Sequence, residues 1–319
     1  MTTVVFLDPT TSERLDRMRR LLPPGWVLTN AASRSEADQL AALQGASFAI
    51  ASDVPVTARM LAVPGLLAVH KWGVGYDAFD LEAARAHGVR VFRTTGSNAV
   101  AVAETTLGLI LSVNRSLVRG HVGIAQGHWL KAELGPGSTT LTGKTVGIVG
   151  LGHTGKALAR LLRGFGCALL YTKRSPLPAP EEAELGARFA PLDDLLAMSD
   201  VVTLNCELND STRNLIGRDR LALMKPDAIL INVARGGVVV EADLADALRA
   251  GRLRGAGVDV FAIEPIRPDN PLLGLDRVVL TPHVAALDAD SFAPGVTRMI
   301  GNLLAVQKGT EPHEIDILV

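Results

Sequence analysis

The segment Lys144–Ala159, KTVGIVGLGHTGKALA, decides the fold of the middle of the chain. Its first part, Thr145–Val149, predicts a buried strand, and a GxGxxG pattern then leads into a helical stretch. In such a strand–turn–helix unit the glycines permit a tight turn, a close pyrophosphate and close helix–strand packing, and the helix N-terminus offers free N–H groups. We therefore predict a dinucleotide site. Its residues are Gly150, Gly152, His153, Thr154 and Gly155.

Two cations, Lys173 and Arg174, follow the next predicted strand, Ala168–Tyr171. In dinucleotide sites that bind NAD, an Asp or Glu near this position bonds to the ribose 2′-hydroxyl. No Asp or Glu occurs between Gly155 and Pro180. A carboxylate would repel a ribose 2′-phosphate, whereas an arginine binds a phosphate with a planar fork. We predict that Arg174, assisted by Lys173 and the Ser175 hydroxyl, selects NADPH/NADP over NADH/NAD. The alternative is that both cations are solvated surface residues.

The composition of the whole chain limits its class. A length of 319 residues favours two domains, and a hydrophobic content of 48% with only 4% aromatics indicates an aliphatic core. Lys and Arg number 32 against 33 Asp and Glu, which argues against nucleic acid or a membrane surface as partner. Two cysteines form no disulfide framework, and no apolar run reaches about 20 residues. A cytoplasmic location is expected.

Short aliphatic runs alternate with amphipathic stretches in two sets, one on each side of the segment Val100–Arg119, which we predict to be a linking helix. This alternation predicts parallel sheets covered by helices. The fold class is therefore α/β, with two Rossmann-like, doubly wound domains. We predict a discontinuous substrate-binding domain, 1–98 plus 286–319, and a dinucleotide-binding domain, 99–285. The last helix candidate, Ser291–Lys308, would return to the first domain.

Polar groups follow three later predicted strands. Arg235 follows Ala228–Val233, Asp259 ends the strand in GAGVDVF, and His283 follows the last strand. Ligands of open α/β sheets bind outside the carboxyl ends of the strands, so these groups are expected to converge.

The residue types suit hydride transfer to a carbonyl. His283 would give the oxygen its proton, since histidine titrates near pH ~6.5, and Glu264 would stabilise the imidazolium. Arg235 would bind the substrate carboxylate and polarise the carbonyl. No metal is required, and His121 and His128 lack the further ligands that a metal site needs.

The chain resembles the D-isomer-specific 2-hydroxyacid dehydrogenase family nearly end to end. The matching segments are KWGVGYDAFDLEAARAHGV, NAVAVAETTLGLIL, TVGIVGLGHTGKALA, MKPDAILINVARGGVVVEADLADAL, GAGVDVFAIEP and NPLLGLDRVVLTPHVA. The resemblance implies an active-site cleft between the two domains and a homodimer formed mainly through the cofactor domains. It also implies that Arg235, Glu264 and His283 are the catalytic trio, and that Asp259 lies near the nicotinamide carboxamide.

The resemblance extends to further binding residues. It implies that the backbone N–H groups of Val74 and Gly75 bind the substrate carboxylate. Further predicted cofactor contacts are Thr106, Cys206 and Val233. The chain departs from the family at Asn205–Glu207, where a His-x-Pro is common, and at Ala286, where a glycine is common.

The substrate is expected to be small. The YT-x-R pattern at Tyr171 is similar to the glyoxylate/hydroxypyruvate reductases that prefer NADPH. Trp72 is predicted to narrow the pocket. Lys71 either contacts a second anionic group, as the corresponding cation does in the phosphoglycerate dehydrogenase branch, or is a surface residue.

The function that we predict is NADPH-preferring reduction of a glyoxylate- or hydroxypyruvate-like 2-oxoacid to the D-2-hydroxyacid. Two alternatives remain at this point. One is an NAD-dependent dehydrogenase of another 2-hydroxyacid, such as 3-phosphoglycerate. The other is a cofactor-sensing binding protein like the corepressors that share this fold, against which the intact Arg235, Glu264 and His283 argue.

Overall fold

The computed structural model describes all 319 residues, and the chain divides into two compact units. The first unit contains Met1–Asn98 and Asp288–Val319, and the second contains Ala99–Leu287. Each unit has one sheet, and all strand pairs within both sheets are parallel. The predicted α/β class with two Rossmann-like domains is therefore confirmed.

The first unit has a five-stranded sheet in the order β2-β1-β3-β4-β5. Its strands are β1 (Thr2–Phe6), β2 (Trp26–Asn30), β3 (Phe48–Ala51), β4 (Ala68–Lys71) and β5 (Arg90–Arg93). Its helices are α1 (Ser12–Arg19), α2 (Glu36–Leu43), α3 (Ala58–Leu61), α4 (Leu81–His87) and the returning α13 (Phe292–Lys308). The side chains of β3 are buried on both faces of the sheet, as expected of a strand covered by helices on either side.

Local sequence signals fix the helix ends of the first unit. The side chains of Thr11, Ser35 and Asp80 each accept a hydrogen bond from a backbone N–H in the first turn of α1, α2 and α4. Such a cap contributes about 1 kcal/mol. Helix α4 ends at Gly88, whose φ of 66° is the left-handed conformation that a glycine adopts without strain. Helix positions are thus specified largely by short-range chemistry.

A buried polar network joins α13 to the sheet of the first unit. The Asp316 carboxylate accepts two hydrogen bonds of 2.7 Å from the Arg298 guanidinium and one of 3.0 Å from Asn302 Nδ2. Asn302 Nδ2 also lies 3.1 Å from His70 Nε2, and His70 Nδ1 lies 2.9 Å from the Lys71 carbonyl oxygen. Because a carbonyl only accepts, the neutral ring carries its proton on Nδ1. Burial of His70 lowers its pKa to about 4.

The second unit has a seven-stranded sheet in the order β12-β11-β10-β9-β6-β7-β8. Its strands are β6 (Thr145–Val149), β7 (Ala168–Thr172), β8 (Ala187–Phe189), β9 (Val201–Leu204), β10 (Ile229–Asn232), β11 (Gly255–Val258) and β12 (Val278–Leu280). Its helices are α5 (Ala99–Asn114), α6 (Leu117–Ala125), α7 (Lys131–Leu134), α8 (His153–Arg163), α9 (Ala179–Leu185), α10 (Leu192–Met198), α11 (Arg218–Leu223) and α12 (Glu241–Arg249). The strand order reverses at β6, and in such sheets ligands bind at the carboxyl end of the strand where the order reverses.

The predicted linking helix Val100–Arg119 is wrong in one respect. The structure has α5 and α6 instead, separated at Arg115 and Ser116, because Ser116 adopts a left-handed φ of 52° that a continuous helix excludes. None of the helices combines the length and the apolar content that a membrane span requires.

Candidate active site

Three adjacent strands of the second unit are each followed by a residue of the predicted site. Arg235 follows β10, Asp259 follows β11 and His283 follows β12, and these strands are neighbours in the sheet. Since the strands are parallel, their carboxyl ends lie on one edge. Strands β10 and β11 are fully buried, and apart from Asn232 at the end of β10 they consist of apolar residues and glycine, so Arg235 and Asp259 lie beyond the apolar parts of their strands.

His283 and Glu264 form a direct pair. The distance from His283 Nδ1 to Glu264 Oε2 is 2.7 Å. The hydrogen bond to Glu264 raises the pKa of His283 above its ordinary value, against the opposing effects of burial and of the Arg235 charge. For Glu264, burial acts to raise the pKa, but the hydrogen bonds from His283 and from Phe261 N lower it below the ordinary value. The imidazolium form of His283 is therefore stabilised.

Asp259 holds the backbone that carries His283. Its side chain is fully buried, and its carboxylate accepts hydrogen bonds from Thr281 Oγ1 at 2.6 Å and from the N–H groups of Val284 and Ala285 at 2.9 Å. His283 itself has a φ of 54°. A left-handed residue other than glycine is uncommon, and the surrounding hydrogen bonds hold this conformation. Asp259, which was predicted to lie near the nicotinamide, thus forms its side-chain hydrogen bonds with the segment around His283.

Arg235 lies beside this pair at the end of β10. The Asn232 side chain spans the turn, because its Nδ2 donates to the Arg235 carbonyl at 3.1 Å and its Oδ1 accepts from Ala234 N at 3.1 Å. Arg235 Nη1 donates to the Ala234 carbonyl at 2.7 Å. The positive charge of Arg235 acts on both Glu264 and His283, which shows that the three charged groups form one electrostatic cluster.

The glycine loop follows β6 in the form that a dinucleotide requires. Gly150 has a φ of 97°, and a Cβ there would lie 2.7 Å from the Asn205 backbone. A Cβ at Gly155 would overlap the Gly150 carbonyl oxygen, so glycine is needed for α8 to pack against the turn. At Gly152 a Cβ would meet nothing within 4 Å, which leaves open space over the backbone. Helix α8 begins at His153, next to this space, and the free N–H groups of a helix N-terminus suit a bound pyrophosphate.

Other predicted cofactor residues differ in accessibility. Thr106 is fully buried, and its hydroxyl donates to the Val102 carbonyl one turn earlier in α5 at 2.6 Å. Val233 is buried at the end of β10, and Thr154 is half-buried in the first turn of α8. Cys206 is half-buried after β9, and burial raises the pKa of its thiol to about 11, which makes it a poor nucleophile.

The cations after β7 lie on an exposed loop. Lys173, Arg174 and Ser175 are all exposed. The buried Tyr171 anchors this loop, because its hydroxyl accepts from Leu177 N at 2.6 Å and donates to a Glu182 carboxylate oxygen at 2.7 Å.

The first unit contains the remaining predicted substrate residues, after β4. Val74 and Gly75 are half-buried, and Gly73 N donates to Thr94 Oγ1 at 3.0 Å. Lys71 Nζ donates to the carbonyl oxygens of Ser52 and Trp72. This ammonium therefore joins the segments that follow β3 and β4.

Trp72 packs within the first unit in a stack of aromatic rings and guanidinium groups. Its ring centroid lies 5.8 Å from that of Phe6 and 5.4 Å from that of Phe292. The Arg14 guanidinium lies 4.4 Å from the Trp72 centroid, a cation–π distance. The orientation of Trp72 is fixed by its neighbours in β1, α1 and α13.

Several residues that support the site were not among the predicted ones. Asn232 and Tyr171 position the Arg235 turn and the cation loop. Glu241 accepts from Ala262 N and from Asn270 Nδ2. The only sequence signal for these residues is the occurrence of a polar group inside or next to an apolar strand or at the start of a helix.

Comparisons with known proteins agree with this geometry. Residues 107–285 match the model of the D-isomer specific 2-hydroxyacid dehydrogenase NAD binding domain. The chain is 38% identical to a glyoxylate reductase of Thermococcus litoralis over 258 residues, 79% of this chain and 77% of that protein. It is 39% identical to a formate dehydrogenase of Chaetomium thermophilum over 257 residues, 76% of this chain and 69% of that protein.

The whole chain is also similar in fold to a solved structure. A protein from Thermus thermophilus superposes with a TM-score of 0.89 at 34% identity, with 100% of both chains covered. The chain thus combines a glycine loop, two parallel sheets and a charged cluster at the carboxyl ends of β10 to β12. Its similarity to known proteins extends over most of its length. The chain belongs to the D-isomer specific 2-hydroxyacid dehydrogenase family of NAD(P)-dependent enzymes.

Proposed function

We propose that this enzyme reduces a small 2-oxoacid, glyoxylate or hydroxypyruvate in type, to the D-2-hydroxyacid with NADPH as the preferred cofactor. The observation that carries the proposal is the 2.7 Å pair of His283 Nδ1 and Glu264 Oε2. The hydrogen bond to Glu264 raises the pKa of His283, so the imidazole keeps its proton to a higher pH than an ordinary histidine does. Reduction of a carbonyl consumes one proton, and the pair supplies a group that is suited to give it.

The bound cofactor supplies the hydride in reduction and accepts it in oxidation. His283 Nδ1 is bonded to Glu264, so Nε2 is the nitrogen left to donate a proton to the carbonyl oxygen. Glu264 remains a carboxylate and balances the imidazolium charge. When the alcohol is oxidised, the same Nε2 takes the proton back, so His283 is the acid in one direction and the base in the other.

Arg235 is proposed to bind the substrate carboxylate. A guanidinium forms two parallel hydrogen bonds with a carboxylate, which fixes both the position and the orientation of the reacting carbon. The Asn232 contacts hold the turn that carries Arg235. For the first unit, we propose that the Val74 and Gly75 N–H groups also bind a carboxylate.

The choice of a 2-oxoacid rests on the chemistry of the acid pair. Relatives include a glyoxylate reductase and a formate dehydrogenase at nearly equal identity. Oxidation of formate to carbon dioxide transfers a hydride and needs no proton at the reacting oxygen. An imidazole whose proton is stabilised by Glu264 is useful to a carbonyl reductase and has no corresponding role in that reaction.

The choice of NADPH rests on the exposed Lys173, Arg174 and Ser175 after β7. Two cations and a hydroxyl at this position would attract a 2′-phosphate, and an arginine can bind it with two hydrogen bonds. Lys156 pairs with Glu181, and both Lys173 and Arg174 are exposed.

We also propose a homodimer formed through the second unit. Large apolar side chains are exposed along and after α6, where a partner would cover them. They are Leu117, Val118, Val122, Ile124 and Trp129. Trp129 is 78% exposed, which is unusual for the largest apolar side chain in a folded domain.

The experiment that tests the proposal is a matrix of initial rates, in which NADH and NADPH are crossed with a series of small 2-oxoacids, and NAD⁺ and NADP⁺ are crossed with formate. We expect the highest kcat/KM with NADPH and glyoxylate or hydroxypyruvate. Formate oxidation that exceeds every 2-oxoacid reduction would overturn the substrate assignment. Equal or higher kcat/KM with NADH would overturn the cofactor assignment.

A further inference from the structure

The loop between β11 and β12 carries Glu264, and two features outside the loop fix it. Glu264 Oε1 accepts from Phe261 N at 2.9 Å, so the loop backbone orients the same carboxylate that pairs with His283. The Glu264 side chain is 34% exposed, and the loop around it has few buried residues. Its position therefore depends on polar contacts more than on packing.

The first of these features is Glu241, the first residue of α12. Its Oε1 accepts from Ala262 N at 2.7 Å and its Oε2 accepts from Asn270 Nδ2 at 2.8 Å. Ala262 precedes Glu264 in the chain and Asn270 follows it, so one carboxylate is bonded to both ends of the segment. Asn270 Oδ1 in turn accepts from Leu272 N at 3.0 Å, which continues the contact toward β12.

The second feature is the close packing of Gly236 against the loop. A Cβ at Gly236 would overlap the backbone of Phe261 and Ala262. The turn that carries Arg235 and the loop that carries Glu264 therefore touch backbone to backbone. Ala262 is therefore held from two directions. Gly236, in the turn after β10, packs against its backbone, and Glu241, at the start of α12, accepts a hydrogen bond from its N–H.

We infer that Glu241 is a positioning residue for the reaction: its carboxylate holds the Ala262–Asn270 segment so that Glu264 meets His283. This inference rests on the roles proposed above for Glu264 and His283. Glu241 itself has no contact with His283, so its effect passes through the loop. Both of its oxygens are required, because the two donors are on opposite sides of Glu264.

Three variants separate this role from a general effect of charge or of helix stability. Glu241→Gln leaves one acceptor and sets an amide donor against a second donor, so one of the two bonds is lost. Asn270→Ala removes the second bond and changes no charge. Asp243→Asn is the matched control, since Asp243 is in the same helix but accepts from Arg218 N at 2.9 Å, away from the loop.

The first measurement is the pKa of His283, obtained by NMR titration of the protein with labelled histidine. The chain has seven histidines, and the His283 signal is assigned by its loss in His283→Asn. In Glu241→Gln and Asn270→Ala we expect the His283 pKa to fall toward the ordinary histidine value, and in Asp243→Asn to stay at the wild-type value. The second measurement is kcat for the best substrate, which should fall roughly tenfold to a hundredfold in the first two variants with little change in the KM for the cofactor.

The outcomes are distinct. Wild-type His283 pKa and wild-type kcat in both Glu241→Gln and Asn270→Ala would overturn the inference. An equal fall in Asp243→Asn would also overturn it, because the effect would then be one of helix charge. If His283→Asn retains wild-type turnover, the proposed roles of His283 and Glu264 fail instead, whatever the loop variants do. Should Glu241→Gln not fold, Asn270→Ala alone decides.

Discussion

The backbone N–H of His283 donates to the carbonyl oxygen of Asp259 at 2.8 Å, while the Asp259 carboxylate receives the next two N–H groups of the chain. These bonds hold His283 at a φ of 54°, where most residues other than glycine and asparagine are strained. The conformation of the backbone and the chemistry of the imidazole are thus supplied by separate residues, and each can be altered without the other.

Replacement of His283 should remove catalysis and leave cofactor binding intact. Asparagine is the appropriate substitute because it adopts left-handed backbone angles more readily than alanine does. We expect His283→Asn to lower kcat by about 10²–10⁴-fold, the usual contribution of a general acid. The dissociation constant for the cofactor, measured by fluorescence titration, should remain within a factor of about two of wild type. Substantial residual turnover would contradict the role of His283 as the acid.

Neutralisation of Glu264 should shift the pH dependence of reduction. The Glu264 hydrogen bond raises the pKa of His283, so the protonated acid persists to a higher pH in the wild type. Reductase activity requires this form and falls as pH rises through the His283 pKa. In Glu264→Gln the decline in kcat/KM should begin at a lower pH, and the loss relative to wild type should be larger at pH ~8 than at pH ~6. A loss that is equal at all pH values would argue against this coupling.

A charge reversal at Arg174 should change the cofactor preference. An arginine–phosphate contact contributes about 1.5–3 kcal/mol, so Arg174→Asp should lower the ratio of kcat/KM for NADPH to that for NADH by roughly tenfold or more. Arg188→Asp is the control, since Arg188 is also exposed and lies on the neighbouring β8. That variant should keep the wild-type ratio. An unchanged ratio in Arg174→Asp would refute the phosphate site.

The two glycines after Arg235 should respond differently to alanine. A Cβ at Gly236 would overlap the backbone of Phe261, which cannot move without shifting Glu264. A Cβ at Gly237 would meet only side-chain atoms, with Leu208 at 3.2 Å and Arg213 at 3.9 Å. We expect Gly236→Ala to cost at least about 1–3 kcal/mol of unfolding free energy and most of the activity, and Gly237→Ala to cost less than about 1 kcal/mol. Urea unfolding and kcat measure both. Equal effects would show that the backbone contact is not required.

The buried His70 should make the protein sensitive to mild acid. Its pKa is about 4 in the fold because burial disfavours the imidazolium, whereas the ordinary value is 6.5. A proton on Nε2 would also face the Asn302 amide, which is a donor. The unfolded chain therefore binds a proton first, and stability that is fully present above pH 6.5 is lost as pH falls toward 4.

Between pH 6.5 and 4, the expected loss in the free energy of unfolding is about 3 kcal/mol. The Asp316 pKa is lowered below 3.8, with burial opposing the effect of the Arg298, Asn302 and Thr95 bonds, so its own contribution is lost at lower pH. In His70→Gln the free energy of unfolding should vary less between pH 6.5 and 4, as measured by urea unfolding at each pH. An identical pH profile in this variant would exclude His70 as the cause.

The elements that sequence patterns identify well are those with a buried, strongly apolar strand followed by a glycine or polar group. Strand β6, the glycine loop and α13 agree with the predicted stretches to within a few residues. Strands β2 and β8 were not predicted because their apolar signal is weak: β2 ends in Thr29 and Asn30 and has only one fully buried residue, and β8 has only three residues, of which one is Arg188.

The supporting contacts of the site could not be read from the sequence. Glu241 has the sequence appearance of a helix-start acid, and its bonds to Ala262 and Asn270 follow from how α12 packs beside the loop. Likewise, the partners of Trp72 come from β1, α1 and α13, which are far apart in the chain. Strand alternation predicts which edge of a sheet carries the polar groups, whereas the partners of each group depend on three-dimensional packing.

The Tyr171 hydroxyl closes the loop after β7, because it accepts a hydrogen bond from Leu177 N and donates one to the Glu182 carboxylate. The exposed residues 173–176 lie between these anchors and take no part in them. Tyr171 therefore holds the two ends of the loop together, and this closure does not depend on the side chains of residues 173–176. If Arg174 binds the 2′-phosphate as proposed, substitutions at these four positions should change the cofactor preference while the surrounding fold stays intact.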